Sequence, residues 1–242
     1  MSGWLVSSRH FSGIVACRRS SLSVLGELDM GGRMALTSEG AISALGHAST
    51  ADVAGILLEL VDSSGNTLGT AEKIAAHRFP GRLHRAFSVF LLDSDGHMVL
   101  QRRALTKYHF PGVWSNSCCG HPLPGEHPFV AAARRVREEL GVCPAVLAEA
   151  GTVTYRHEDP QSGLVEHEYN HLFVGVVTAD LKPAPEEVVD IARVDQDGLR
   201  QRRATEPFSG WFGDVFDAVL PTLRNLDVAA RWRNLITDEL PE

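Results

Sequence analysis

The sequence predicts an α/β (α+β) chain: a mixed β-sheet sandwiched between helices, in a single domain. Three observations carry this reading. Two hairpin patterns stand close together at 55–72 and 86–103, an amphipathic helical pattern follows at 128–140, and strand patterns then give way to helical ones up to about residue 224. With 242 residues and 44% hydrophobic content, the chain can bury one sizeable core. One domain over 51–242 is therefore expected.

Residues 1–50 lack sustained periodicity, are rich in Ser, Gly and Ala, and contain no acidic residue before Glu27. They read as a poorly ordered N-terminal extension. Their composition is shared with organellar transit peptides, but a dispensable tail, or a true start at Met30 or Met34, is the preferred expectation. The first hairpin is GILLELVD and TLGTAE around the turn SSGN. In the second, AFSVFLLD and MVLQRR flank Ser94-Asp95-Gly96-His97, whose Asp-Gly pair supplies the positive-φ position of a tight turn. After Pro111-Gly112, VWSNS reads as a short strand. From Pro128 to Leu140, Val130, Ala133, Val136 and Leu140 recur at helical spacing, with Gly141 as the stop signal. Further strands are expected at TVTYR, Leu164–Val177 and Val188–Val194, and helices at Asp195–Gln201 and Phe208–Arg224.

A net charge of −7 argues against nucleic acid or an anionic membrane surface as partner. No apolar run approaches the roughly 18 residues of a spanning helix. Four cysteines, two of them adjacent at Cys118 and Cys119, do not resemble the framework of a small secreted domain, so a reducing, cytoplasmic setting is expected. Oligomeric state is not legible.

The chemistry begins at Ser117-Cys118-Cys119-Gly120-His121, a loop that leads directly into the segment 120–142. That segment matches the Nudix box, G-x5-E-x7-R-E-U-x-E-E-x-G-U with U aliphatic, at Gly120, Glu126, Arg134, Val136, Glu138, Glu139, Gly141 and Val142. Adjacent helix positions lie about 100° apart, so one of Glu138 and Glu139 can face a metal while the other meets solvent. The match fails once, because Arg135 stands where the box has Glu. A cation there removes a metal ligand and adds a phosphate clamp. The site should hold a diphosphate without cutting it.

A second group lies outside the box. His77 and His84 flank the Pro80-Gly81 turn, His121 follows the cysteine pair, and Glu166 and Glu168 sit two apart on a strand, on one face, with His167 on the other. Three imidazoles and two carboxylates suit Mn²⁺, Zn²⁺ or Fe²⁺ better than Mg²⁺. His10, His47, His97, His109, His127, His157 and His171 read as ordinary surface or core residues.

The runs EKIAAH (72–77), RLHRAFS (82–88), RRALTKYHFPGVWSNSCCGHP (102–122), GLVEHEYNHLF (163–173) and the Phe208–Trp211 segment, together with the altered box, resemble type 1 isopentenyl-diphosphate isomerase of the Nudix superfamily over about residues 53–225. The resemblance implies a Nudix-type fold and interconversion of isopentenyl and dimethylallyl diphosphate. It implies Cys119 and Glu168 as the proton-transfer pair, with Tyr155 hydrogen-bonded to the carboxylate. It implies a Mn²⁺ or Zn²⁺ site of His77, His84, His121, Glu166 and Glu168, and a diphosphate-bound Mg²⁺ held through Glu139. The diphosphate would meet Lys73, Arg103, Lys107 and Arg135, and Trp211 would face the carbocation. Two of the chain's three lysines are thus spent on that group. Two alternatives explain less. A Nudix diphosphatase acting on a nucleotide or coenzyme gives Cys119, His77 and His84 no role, and a metal or redox sensor would be expected to carry a Cys-x-x-Cys.

Overall fold

The computed structural model describes residues 55–226, Ala229 and Trp232, and the backbone of 14–18 and 21–25. Most of the expected N-terminal extension lies outside these residues. Within it, β1 (Ile14–Arg18) and β2 (Ser21–Leu25) pair as an antiparallel two-stranded sheet that the sequence patterning did not reveal.

The other strands among the described residues form one nine-stranded mixed sheet. The hairpin of β3 (Leu57–Val61) and β4 (Thr67–Glu72) turns where the Asp62 carboxylate accepts the backbone N–H groups of Ser64 and Asn66. A short helix, α1 (Lys73–His77), follows with Glu72 as its cap. It escapes sequence analysis because five residues are too few to show a period. The second hairpin, β5 (His84–Leu92) and β6 (Met98–Arg103), turns at Gly96 with φ +80°, as its Asp-Gly pair requires.

The expected VWSNS strand is two short ones, β7 (Trp114–Ser115) and β8 (Cys118–Gly120). Between them Ser117 Oγ donates to Val99 O and accepts from Leu91 N–H (2.5 and 2.8 Å), so a buried side chain replaces ladder bonds between β5 and β6. Then come α2 (Pro128–Leu140), β9 (Val146–Glu158), β10 (Val165–Val176), β11 (Val188–Val194), α3 (Gln196–Thr205) and α4 (Phe212–Leu223). Gly141 ends α2 at φ +68°, where a Cβ would stand 2.6 Å from Lys182 O.

The central order is β11-β6-β5-β10-β9, with β3 and β8 also pairing with β5, and β7 with β6. β10 runs parallel to β5 and the remaining pairs are antiparallel. The pleat of β5 divides the core. Phe87, Val89 and Leu91 pack under Phe129, Ala132, Val136 and Leu140 of α2, whereas Phe90 and Leu92 pack under Phe212, Val215, Phe216 and Val219 of α4. Each such buried large side chain contributes about 2 kcal/mol. The expected sandwich is therefore present, with α2 and α4 on opposite faces.

Two helix boundaries differ from expectation. Asp195 caps α3 rather than joining it, and the helix continues to Thr205, followed by an Arg202–Glu206 ion pair. Residues 207–209 pair with β7 through Trp114 N–H to Pro207 O and Ser209 N–H to Trp114 O, so α4 starts only at Phe212. No helix among the described residues is long and apolar enough to cross a membrane.

Candidate active site

His77 closes α1 and His84 opens β5. Their Nδ1 atoms sit 2.7 Å from Lys73 O and 2.8 Å from Arg82 O, contacts that require Nδ1–H and leave the Nε2 lone pairs turned inward. His121 joins them from the end of β8, its Nε2 3.1 Å from His84 Nε2. Alternation along β10 sends Glu166 and Glu168 to the same place, while His167 turns away to Gly81 O. His121 Nε2 lies 3.0 Å from Glu168 Oε1, and His77 Nε2 lies 3.2 Å from Glu166 Oε2. One potential ligand atom from each of the five lies within 4.8 Å of all the others.

His77 Nε2 and both Glu166 oxygens are buried without a hydrogen bond. Two carboxylates and converging imidazole lone pairs in a closed space call for a positive charge at their centre, and a divalent cation fits that donor set. Burial drives the His121 pKa down to about 3, so it is neutral, the ligand form. Burial also disfavours charge on His77, but Glu166 outweighs it and raises that pKa. A bound cation would take the place of that proton.

Glu168 has two further partners. Register pairs it with Tyr155 on β9, whose hydroxyl donates to Oε2, and Asn170 Nδ2 donates to the same oxygen at 2.9 Å and to the Tyr155 hydroxyl at 3.0 Å. Burial, reinforced by Glu168, holds the Tyr155 pKa well above the ordinary phenol range, so it remains a donor. Directly paired residues share a face: Glu168 with His84, and Cys119 with Ser88 four residues further along β5. Cys119 and Glu168 thus project from the same face of the sheet, on strands that flank β5. Burial pushes the Cys119 thiol up to about 12 against the pull of Arg103, whose Nη1 donates to Sγ at 3.7 Å. The thiol therefore carries its proton at neutral pH. Cys118 points into the core beneath α2.

A cationic group adjoins this pair. Arg135 bonds Glu139 Oε1 at 2.5 Å, Glu187 Oε1 at 3.0 Å and Glu138 Oε2 at 2.9 Å. Glu139 is buried and also accepts from Gln101, whereas Glu138 faces solvent, the division expected for adjacent helix positions. Lys107 pairs with Glu187. Lys73 is half-buried, its Nζ over the Tyr108 ring, and among the described residues no carboxylate lies within salt-bridge distance of that Nζ. Burial, then Lys107 and Arg135, bring its pKa down to about 8. Arg103 lies over the indole of Trp211, 5.2 Å from its centroid. The indole N–H points to Asn116 Oδ1 at 3.4 Å.

All the expected site residues are therefore brought into one contiguous region. Sequence reasoning missed three: Asn170, which donates to Glu168 from two residues beyond it, and two others. His109, read as an ordinary histidine, is buried with Nε2 against Glu166 Oε1, and burial lowers its pKa to about 4. Glu187 joins Lys107 to Arg135; burial raises its pKa, but Arg135 and then Lys107 outweigh burial and bring it to about 2. Glu187 lies in no motif. His109 stands two residues beyond Lys107, inside a run already singled out, and that proximity was the available signal.

The NUDIX domain family model matches residues 82–212, from the residues just before β5 to the first residue of α4. An isopentenyl-diphosphate Delta-isomerase from Streptomyces avermitilis is 64% identical over 171 residues, covering 71% of this chain and 87% of the relative. The chain belongs to the isopentenyl-diphosphate Delta-isomerase family. A family member from Nocardia farcinica is 44% identical, covering 66% of this chain and 92% of its own length. Likeness of fold extends to a crystal structure of a Deinococcus radiodurans protein, with a TM-score of 0.56 at 21% identity, covering 67% of this chain and 98% of that one. Lys73 and His77 lie outside the stretch matched by the NUDIX model, so part of the candidate site is built on α1, upstream of it.

Proposed function

We propose that this chain interconverts isopentenyl diphosphate and dimethylallyl diphosphate by moving two protons. The observation that carries the reading is the pair of Cys119 and Glu168: a thiol and a carboxylate on one face of the sheet, on either side of β5. In the forward direction a proton adds to the terminal alkene carbon, the neighbouring carbon acquires tertiary cationic character, and a proton leaves C2. One group must give a proton and another take one, and a thiol and a carboxylate can each serve. Tyr155 and Asn170 fix the carboxylate by donating to Oε2. Buried Trp211 and Phe110 help exclude water, which would otherwise trap the cation.

Lys73, Arg103, Lys107 and Arg135 would bind the diphosphate and contribute positioning rather than chemistry. His77, His84, His121, Glu166 and Glu168 would hold Mn²⁺ or Zn²⁺, and Glu139 a diphosphate-bound Mg²⁺; these cations supply fixed positive charge that keeps the carboxylates ionised and orders the diphosphate. Arg135 supports isomerisation over diphosphate hydrolysis, because its guanidinium engages Glu139 where a hydrolase box would place another carboxylate. Turnover in D₂O followed by NMR tests the proton route. Deuterium is expected in the new methyl group, and isomer formed without solvent deuterium would exclude it.

A further inference from the structure

Among the described residues, Phe110 is the one non-glycine at positive φ, +45°. A bulky residue is rarely held there and persists only where surrounding contacts impose it. The contact that does so comes from far along the chain. The buried Asp159 carboxylate, at the turn between β9 and β10, accepts the Phe110 N–H at 3.1 Å. Asp159 is itself held by the Ser162 hydroxyl (2.6 Å) and the Gln161 N–H (3.2 Å).

The left-handed turn decides where two carbonyls point. Phe110 O accepts Arg103 Nε at 3.0 Å and His109 O accepts Arg103 Nη2 at 3.1 Å. With two edges of its guanidinium held, Arg103 presents Nη1 to Cys119 Sγ and its plane to Trp211. The same turn sets His109 against Glu166 and the Phe110 ring edge-on to Trp211. A carboxylate that only closed its own turn would need Gln161 and Ser162, but not an amide 49 residues away.

We propose that Asp159 is a positioning residue for the isomerisation, acting through the strained Phe110 turn to hold Arg103 against Cys119. The inference rests on the proposed function, and a double-mutant cycle with Arg103 separates the two. Asp159→Ala is expected to lower kcat/KM about 30-fold, and Asp159→Asn, which keeps one acceptor oxygen without its charge, about threefold. In an Arg103→Ala background both effects should shrink to what His109 and Phe110 carry, because the main group being positioned is gone. Hydrogen exchange at the Phe110 amide should rise about tenfold in Asp159→Asn, a readout that needs no turnover. Should Asp159→Ala not fold, Asp159→Asn decides by the same two measurements. Losses that multiply undiminished with Arg103→Ala, an unchanged kcat/KM in folded Asp159→Ala or Asp159→Asn, or unchanged Phe110 exchange would overturn the proposal. Wild-type protein that fails to isomerise would refute the proposed function instead, and Phe110 exchange would still test the strap.

Discussion

Arg135→Gln removes the cation shared by Glu138, Glu139 and Glu187. The side chains of Glu139 and Glu187 are 3% and 14% exposed, and that of Arg135 is 23% exposed. Breaking a buried pair by deleting one partner typically costs about 3–5 kcal/mol. Because Arg135 keeps some solvent and Glu187 keeps Lys107, the lower end applies, about 3 kcal/mol. In a chain of this size that is a fall in Tm of roughly 6–12 °C. Thermal and urea melts at pH 7 read it. The pH dependence carries a sign. The pKa of Glu187 is depressed from 4.5 to about 2, so its ion pairs stabilise the fold fully above about 4.5 and lose that contribution as pH falls toward 2. The gap between wild type and variant should therefore narrow across that window. A gap under 1 kcal/mol at pH 7, or one that widens on acidification, would refute the assignment of Arg135 as the charge that holds these carboxylates together.

The two adjacent cysteines should behave differently. Cys119→Ala is expected to lower turnover by at least 10²-fold, whereas Cys118→Ala, a buried truncation under α2, should cost about 1 kcal/mol of stability with turnover within threefold of wild type; equal losses of activity would contradict the geometry. Glu168→Gln should lower kcat by about 10²–10⁴-fold and also reduce bound transition metal measured by elemental analysis, and near-normal turnover would remove Glu168 from the proton route. Chelation of the purified protein should lower Tm by several degrees, with Mn²⁺ or Zn²⁺ restoring it. A melt indifferent to chelator would contradict a cation among His77, His84, His121, Glu166 and Glu168.

The sheet and the metal-ligand candidates were legible because their signals are local. The Asp95-Gly96 turn, the stripe at Ala133, Val136 and Leu140, and the two-residue spacing of Glu166 and Glu168 each follow from a short-range period. What escaped depends on tertiary contacts. Helix α1 is fixed by the Glu72 cap and by Ala76 packing on Leu58 and Leu60, not by a period of its own. VWSNS broke in two because the Asn116 and Ser117 side chains bond the backbones of β5 and β6. Glu187 and Asp159 carry no local pattern, and their meaning comes from Arg135 and Phe110, each about 50 residues distant in sequence.

The most direct measurement is to incubate the purified protein with isopentenyl diphosphate and Mg²⁺ and follow dimethylallyl diphosphate and released phosphate together. Isomer formed without phosphate release is the predicted result. Diphosphate cleavage without isomer would contradict the account, because it would mean that Arg135 does not silence the box.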